Sequence, residues 1–563
     1  MEEKKILENN MQEPVTQPGQ MQQPMQPEQM QQPMQPGQMQ QPMQPGQMQQ
    51  PVQPGQMPPG QLQPQTWQPA PPPPYVFPMP KKHENLLTFQ RNFPFFGIAC
   101  AVYALFYTFC LYQNFSGIAM PVLAVGTLVF GYVCLKKVGV PMKKDVWFYA
   151  VAITLLGINL CITKDTFLIF FDYAAMLLLL VSGFLHLCCN DEKWDFSAYL
   201  TGIVLSLILP IKNLLNPFFD GNAYWKTRRE TKGGKGFYIF IGVICGLPLL
   251  ILVLALLGSA DFVFKKFLEA IFIFDFDNGP EGSLFVMLLG SFFVSYAFLS
   301  FLFSHEADTP PSKHKKYETV IAITINAMLS VFYLIFSVIQ IVYLFLGKFS
   351  LPEQYTYAEY AKEGFYQLLA VCIINLVLVL ICVTFFEESK ALKIMLAVIT
   401  GCTYIMIASS ALRMKMYVEA YELTYLRLNV FWMLLVLTFF FTGILAYIFS
   451  KKKFSLFRYA MVVITVLYIG YAFARPETII ASYNLREEEL AQWKGIDAYY
   501  LSDFSSDAYP IFREVCEREG NEEFAEYFME EVLKDRSRYA RLFEEYEDMD
   551  FRTFNFSLYN AFR

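Results

Sequence analysis

Residues 428–449 read LNVFWMLLVLTFFFTGILAYIF, an apolar run without a single charged side chain. A helix of about 20 apolar residues spans the ~30 Å hydrocarbon core of a bilayer. The chain has 563 residues, of which 55% are hydrophobic and only 17% are charged, and its mean hydropathy is +0.32. Charged residues make up ~25% of a usual soluble domain. The sequence therefore predicts an all-α, polytopic transmembrane helical bundle.

Similar apolar runs recur along the chain, and we predict eleven transmembrane helices. Their bounds are 95–112, 117–135, 146–162, 167–189, 237–257, 283–303, 320–346, 366–386, 391–412, 428–449 and 459–473. Residues 198–215 are also long enough to span, but Pro210 and Lys212 interrupt them. That stretch fits an interfacial or re-entrant position equally well, so twelve crossings remain the alternative.

Basic residues between the apolar runs predict the orientation, because Lys and Arg gather in cytoplasmic loops. Lys81, Lys82 and Arg91 precede the first span, and four lysines lie in 136–144. Further basic clusters occupy 226–235, 313–316 and 451–458. All these clusters share one side only if 198–215 does not cross. We therefore expect a cytoplasmic N-terminus, an extracytoplasmic C-terminus and a bacterial cytoplasmic membrane.

Two appendages flank the predicted membrane domain of residues 81–474. Residues 1–80 contain a nine-residue repeat, MQQPMQPGQ at 39–47, whose prolines and glutamines cannot build a core. We expect a disordered arm there. Residues 475–563 are acidic and predict a small helical domain, with one helix at 510–519 and the next carrying Phe524, Phe528 and Val532.

Familiar catalytic and metal-binding motifs are absent from the sequence. It has no GxxxxGK[ST], HExxH, GxSxG or CxxC pattern, and its four histidines are scattered. We predict no catalytic residue, no cofactor and no metal site, which argues against an enzyme. The net charge of −6, without a strongly basic block, also argues against a nucleic-acid partner.

Polar residues inside apolar runs are the first candidates for function. Asp172 lies within the fourth span, where a carboxylate costs several kcal/mol unless it is neutral, paired or hydrated. The amides Asn159, Asn326, Gln340 and Asn375 fit simple interhelical hydrogen bonds. Separately, Asp261 interrupts an apolar stretch after the fifth span. That stretch fits an amphipathic surface helix and an ordinary interfacial loop equally well.

The most distinctive run is YTYAEYAKEGFYQL at 355–368, which places Glu359, Lys362 and Glu363 on one helical face. It predicts either a solvated helix entrance or the charged mouth of a cavity. A second run, RMKMYVEAYELTYLRL at 413–428, should emerge on the same outer face. Its bases contradict the positive-inside pattern and so should have anionic partners. We expect Arg413, Lys415 and Arg427 to meet either the carboxylates of the first run or an anionic ligand.

These runs resemble an uncharacterised bacterial membrane family called domain of unknown function 4173, over roughly residues 237–510. The matching residues in the membrane region are Glu318, Thr319, Gln340, Tyr343, Tyr357, Ala358, 361–368 with Gly364 and Phe365, Arg413, Tyr417, Ala420, Tyr421, Leu423, Thr424 and Arg427. Those after it are Tyr483, Asn484, Asp497, Tyr500, Leu501 and 506–508. Glu422 replaces an expected glycine, which puts a tight turn there in doubt. The resemblance implies a membrane location and no activity.

Three functional hypotheses follow from these residues. The first is a non-enzymatic envelope or signalling component in the lipid bilayer, with a protein partner bound through the N-terminal arm or the C-terminal domain. The second is a transporter or channel for a small solute, which requires Asp172, Asn326, Gln340 and Asn375 to converge on one cavity. The third is a membrane-embedded transferase that uses Asp261, Glu359 or Glu363.

Overall fold

The computed structural model describes residues 81–189, 191, 194–229, 280–304, 316–342, 357–451, 454–486, 498–518, 522–534 and 536–563. Helices dominate these residues, and none of them forms a β-strand beyond an isolated bridge between Tyr317 and Phe386. The first ten helices are α1 (Lys81–Arg91), α2 (Phe93–Leu111), α3 (Ala119–Val138), α4 (Val146–Ile162), α5 (Thr166–Cys188), α6 (Phe196–Ile208), α7 (Asn216–Arg229), α8 (Pro280–Phe303), α9 (Thr319–Gln340) and α10 (Tyr357–Phe385). The others are α11 (Lys390–Tyr421), α12 (Tyr425–Phe449), α13 (Leu456–Phe473), α14 (Pro476–Asn484), α15 (Ala498–Ser502), α16 (Tyr509–Cys516), α17 (Glu522–Lys534), α18 (Arg536–Glu547) and α19 (Phe556–Phe562).

The predicted all-α, multi-pass architecture is confirmed. Within the described residues, ten helices are long and apolar enough to cross a membrane, and α4 is a shorter apolar helix. The predicted arm at 1–80, the predicted span at 237–257 and Asp261 lie outside the described residues.

The bundle has two chemically distinct ends. At the first, the loops around Lys143, Asp191 and Arg458 meet through ion pairs. At the second, residues after 474 pack against the α2–α3, α4–α5 and α11–α12 connections. We call these the basic end and the tail end.

Residues 196–229, from the start of α6 to the end of α7, begin and end at the basic end. Tyr199, in its first turn, bonds Asp191 over 2.6 Å. A 3₁₀ turn at Leu209–Asn213 follows α6, and α7 then bonds the basic-end half of α8, through Asn216 to Ser300 and Asp220 to Tyr296. By length and composition Phe196–Asn213 is apolar enough to span. Its contacts nevertheless favour the arrangement in which it does not cross.

One hydrophobic core continues from the bundle into the C-terminal segment, residues 475–563. Leu423 and Val430 of the bundle belong to the same buried cluster as Leu501, Phe512 and Phe528. The predicted helices at 510–519 and after residue 520 appear as α16 and α17, with Phe524 and Phe528 buried. Burying a Phe contributes ~1.5–3 kcal/mol, so this shared core holds the C-terminal segment on the bundle.

Candidate functional site

The tail end is held together by many polar contacts between the C-terminal segment and the loops of the bundle. The loop between α18 and α19 fits between the end of α2 and the start of α3. Arg552 donates to the carbonyl oxygens of Phe109 (3.0 Å) and Tyr112 (2.8 Å), which close α2. The N–H groups of Ile118 and Ala119, where α3 begins, donate to carbonyl oxygens of this loop over 2.9 and 3.2 Å. The loop thus satisfies backbone groups that helix ends leave open.

Gly117 permits this close approach between two backbones. A Cβ at this position would lie 2.9 Å from the carbonyl carbon and oxygen of Thr553. Any side chain there would force the loop away from the start of α3.

Asp507 joins three other parts of the tail end, the α4–α5 loop and α19 through its carboxylate and α14 through its backbone carbonyl. Its carboxylate accepts hydrogen bonds from the Thr163 hydroxyl (2.5 Å), the Lys164 N–H (3.0 Å) and the Ser557 hydroxyl. Its own carbonyl accepts from the Thr478 hydroxyl over 2.9 Å. The α4–α5 loop, α14 and α19 are therefore tied to one buried residue, which belongs to the 506–508 segment singled out in the sequence.

Two further buried carboxylates, those of Asp165 and Glu477, lie beside Asp507. Asp165 caps α5 and accepts from the Tyr425 hydroxyl over 2.6 Å. Glu477 accepts from both the N–H and the hydroxyl of Ser505. Burial raises the pKa of the Asp165 carboxyl. Burial, aided by the negative charge of Asp165, raises the pKa of Glu477 to about 8.

The proximity of Asp165 and Glu477 was not predicted from the sequence. Each carries a local signal, since an Asp before a helical run and a Glu after a helix-starting proline are typical of helix N-termini. Their proximity depends on a fold that joins positions far apart in the chain, and no spacing within one helix predicts it.

The α11–α12 turn is held by residues from three elements. Asn484 pairs with the backbone of Leu423, accepting from its N–H and donating to its carbonyl, both over 2.9 Å. Arg427 stacks on Tyr417, with its guanidinium carbon 4.2 Å from the ring centre, and donates to the carbonyl of Glu422. Glu422 has φ +65° and ψ 176°, a region that is almost exclusive to glycine. The tight turn is therefore present although glycine is not.

Gly364 and Arg413 lie against each other at the tail-end half of α10 and α11. A Cβ on Gly364 would lie 1.9 Å from Nη1 of Arg413, whose side chain is buried. One turn earlier on α11, the Ser409 hydroxyl donates to Gln340 over 2.6 Å. The side chains of Glu359, Lys362 and Glu363 lie outside the described residues, so their expected contact with Arg413 and Arg427 stays a prediction.

The remaining candidates occupy separate places. Asp172 is fully buried and accepts from Asn159 (2.7 Å) and from the Tyr468 hydroxyl (2.8 Å). Asn375 bonds Tyr333 and Thr403, whereas Asn326 donates to the Ala322 carbonyl of its own helix. Glu318 is exposed at the start of α9 and makes no side-chain capping bond. The four polar residues of the transporter hypothesis each have different hydrogen-bond partners, and their convergence on one cavity stays a prediction.

A polar cluster at the basic end was also missed. The buried carboxylate of Asp191 contacts His186 Nδ1, the Tyr199 hydroxyl and Arg458, each over 2.6 Å, and Lys143 over 3.3 Å. Burial raises the pKa of this carboxyl, but hydrogen bonds from His186, Tyr199 and Arg458 outweigh burial and hold it below its usual range. The cluster fastens α5 and α6 to α13.

Comparison with known proteins gives one match. A family model described as Domain of unknown function (DUF4153) matches residues 150–515. The resemblance to domain of unknown function 4173 is therefore wrong, although both families lack an assigned function. No curated protein and no solved structure matches the chain.

Proposed function

The chain belongs to the family described as Domain of unknown function (DUF4153), and from this premise we propose a non-enzymatic role as an envelope or signalling component. In this role the C-terminal segment and the tail end together form the surface that a protein partner recognises. The observation that carries the proposal is the joint construction of this end, in which Asp507, Asn484 and Arg552 each bond loops of the bundle. Because the C-terminal segment is bonded to the bundle, a conformational change in either of them is transmitted to the other.

The exposed charges of the C-terminal segment favour a basic partner. Carboxylates line the outer surfaces of α17 and α18, and complementary charge steers association and fixes its register. Exposed members are Glu522, Glu523, Glu526, Glu530, Glu544, Glu545 and Glu547. The proposed orientation puts this surface outside a bacterial cytoplasmic membrane, with the N-terminal arm inside as a tether.

The test is site-specific photocrosslinking in growing cells. A benzoylphenylalanine at Glu530 or Glu544 should give a discrete product of one mass, and the same probe at Lys144 on the basic end should not give it. Replacing Glu526, Glu530 and Glu547 by Gln should abolish the product formed from position 544. The proposal would be contradicted if the crosslinked product still formed after this change, or if neither acidic position gave a product.

A further inference from the structure

One face of α2 forms a regular apolar stripe that no other described helix covers. Ile98, Val102, Leu105 and Phe109 are between 56% and 66% exposed and follow an i, i+4, i+7, i+11 pattern. Phe96, Cys100, Ala104 and Thr108 on the opposite face are buried. Because α2 is a candidate membrane span, the exposed stripe is the face that meets lipid acyl chains.

Phe551 of the C-terminal segment extends this stripe beyond the end of the helix. Its ring centre lies 6.5 Å from that of Phe109, the last member of the stripe, and its side chain is 76% exposed. An aromatic ring left open beside a lipid-facing ring continues the same apolar surface. In water, this ring would forgo the favourable free energy of burying an aromatic side chain.

The loop that carries Phe551 is held rigidly at the level of the helix end. Asp550 accepts hydrogen bonds from the N–H groups of Arg552 (2.8 Å) and Thr553 (2.7 Å), which closes a tight turn around Phe551. Arg552 then bonds the last carbonyls of α2. The position of the ring is therefore set by the bundle and does not depend on loop motion.

The polar neighbours of Phe551 match the boundary between hydrocarbon and headgroups. Trp and Tyr concentrate at this level of a membrane, and Phe lies on the buried apolar face of helices that rest there. Asp550 is exposed next to the ring, and Phe115, in the α2–α3 loop, is another exposed ring at this end. A protein partner would have to displace lipid from the continuous stripe of α2, so lipid is the occupant that the geometry favours.

We infer that the C-terminal segment is itself a membrane-contacting element, whose Phe551 ring inserts among phospholipid acyl chains just below the headgroups of the tail-end leaflet. The segment is thus fastened both to the bundle and to the lipid around it.

Photocrosslinking to lipid tests this inference in the full chain. Benzoylphenylalanine replaces Phe551 in protein reconstituted into nanodiscs of phosphatidylethanolamine and phosphatidylglycerol, and intact-mass spectrometry follows irradiation. We expect adducts of one phospholipid mass at position 551 and at the lipid-facing Leu105, and none at the exposed Glu544. Adducts at 105 without any at 551, or crosslinks from 551 to a second copy of the chain, would overturn the inference.

Tryptophan fluorescence gives an independent measurement if the bulky probe prevents folding. Phe551→Trp adds one fluorophore to the six native tryptophans, and the parent protein supplies the subtraction. Bromine near the headgroup end of the acyl chains should quench the added signal more than bromine at the chain ends does. An added signal that neither bromine position quenches would place the ring in water and refute the insertion.

Discussion

Glu422 occupies a backbone conformation that glycine would adopt with less strain. Non-glycine residues in this region cost ~1–3 kcal/mol, and the bonds of Arg427 and Asn484 around the turn hold it there. We expect Glu422→Gly to raise the unfolding temperature of the purified chain in detergent. Glu422→Ala is the control, because alanine keeps the Cβ and should give no comparable gain. A lower unfolding temperature for the glycine variant would contradict this account.

A side chain at Gly364 would push the buried guanidinium of Arg413 out of its position, since a Cβ would lie 1.9 Å from its Nη1. Overpacking of this kind costs ~1–3 kcal/mol. We therefore expect Gly364→Ala to lower the unfolding temperature clearly. Gly401→Ala on α11 is the matched control, because no heavy atom lies within 4 Å of its added Cβ. Equal behaviour of the two variants would argue against a tight contact between Gly364 and Arg413.

The raised pKa of Glu477 predicts a pH dependence with a defined sign. The folded state retains a proton that the unfolded state loses above about 4.5, so stability should fall as the pH rises from about 4.5 to about 8. Glu477→Gln should flatten this slope and stabilise the chain at neutral pH by on the order of 1–3 kcal/mol, while the amide oxygen still accepts from Ser505. Unfolding temperatures across this range measure it, and an unchanged slope would exclude Glu477 as its source.

Some residues of the candidate site were predicted from the sequence, and others were not. Gly364, Arg413, Tyr417 and Arg427 were selected as a group, and the structure brings them together in two contacting pairs. That selection relied on a resemblance to the wrong family, yet a glycine and bases beside a membrane span carry a physical signal of their own. Contacts between distant positions, such as Asp507 with Thr163, have no such local signal.

Among the elements, most of the apolar helices and the short helices α16 and α17 were predictable, whereas the other short helices were not. The predicted bounds of α4 match its observed bounds, because its apolar run is closed by polar residues on both sides. Residues 198–215 were ambiguous, and the bonds of the following helix, α7, to the basic-end half of α8 favour a non-crossing position. Helix α19 has only seven residues, too few for an apolar pattern that would predict it. Asn555 caps it, and tertiary contacts with the end of α4 hold it in place.

Arg552 should stabilise the C-terminal end of α2 far more than an ordinary surface arginine would. Its two bonds close backbone carbonyls at the helix end, and charged hydrogen bonds contribute ~1.5–3 kcal/mol each. We expect Arg552→Ala to lower the unfolding temperature and to speed amide exchange in the α2–α3 loop. Arg518→Ala, which removes an exposed pair with Glu514, should do neither. Protection in this loop that survives Arg552→Ala would refute the capping role.

At the scale of the whole molecule, the two ends of the bundle should face opposite compartments. Ser506 is fully buried, so an exposed position must report on the tail end. In a background without native cysteines, Glu544→Cys should react with an impermeant maleimide on intact cells, and Lys144→Cys only after permeabilisation. Both side chains are exposed, which makes the pair a matched control. The reverse pattern would place the tail end in the cytoplasm.

The α18–α19 loop, which completes the ends of α2 and α3, also sets an order of events during synthesis. Tyr112 and its partner Arg552 are 440 positions apart. At ~5–20 residues per second the ribosome needs roughly 20–90 s to make that distance. The first hairpin therefore enters the membrane long before its cap exists, and its end groups stay without these partners until residue 552 has been made. A chain stopped short of residue 552 never acquires this cap.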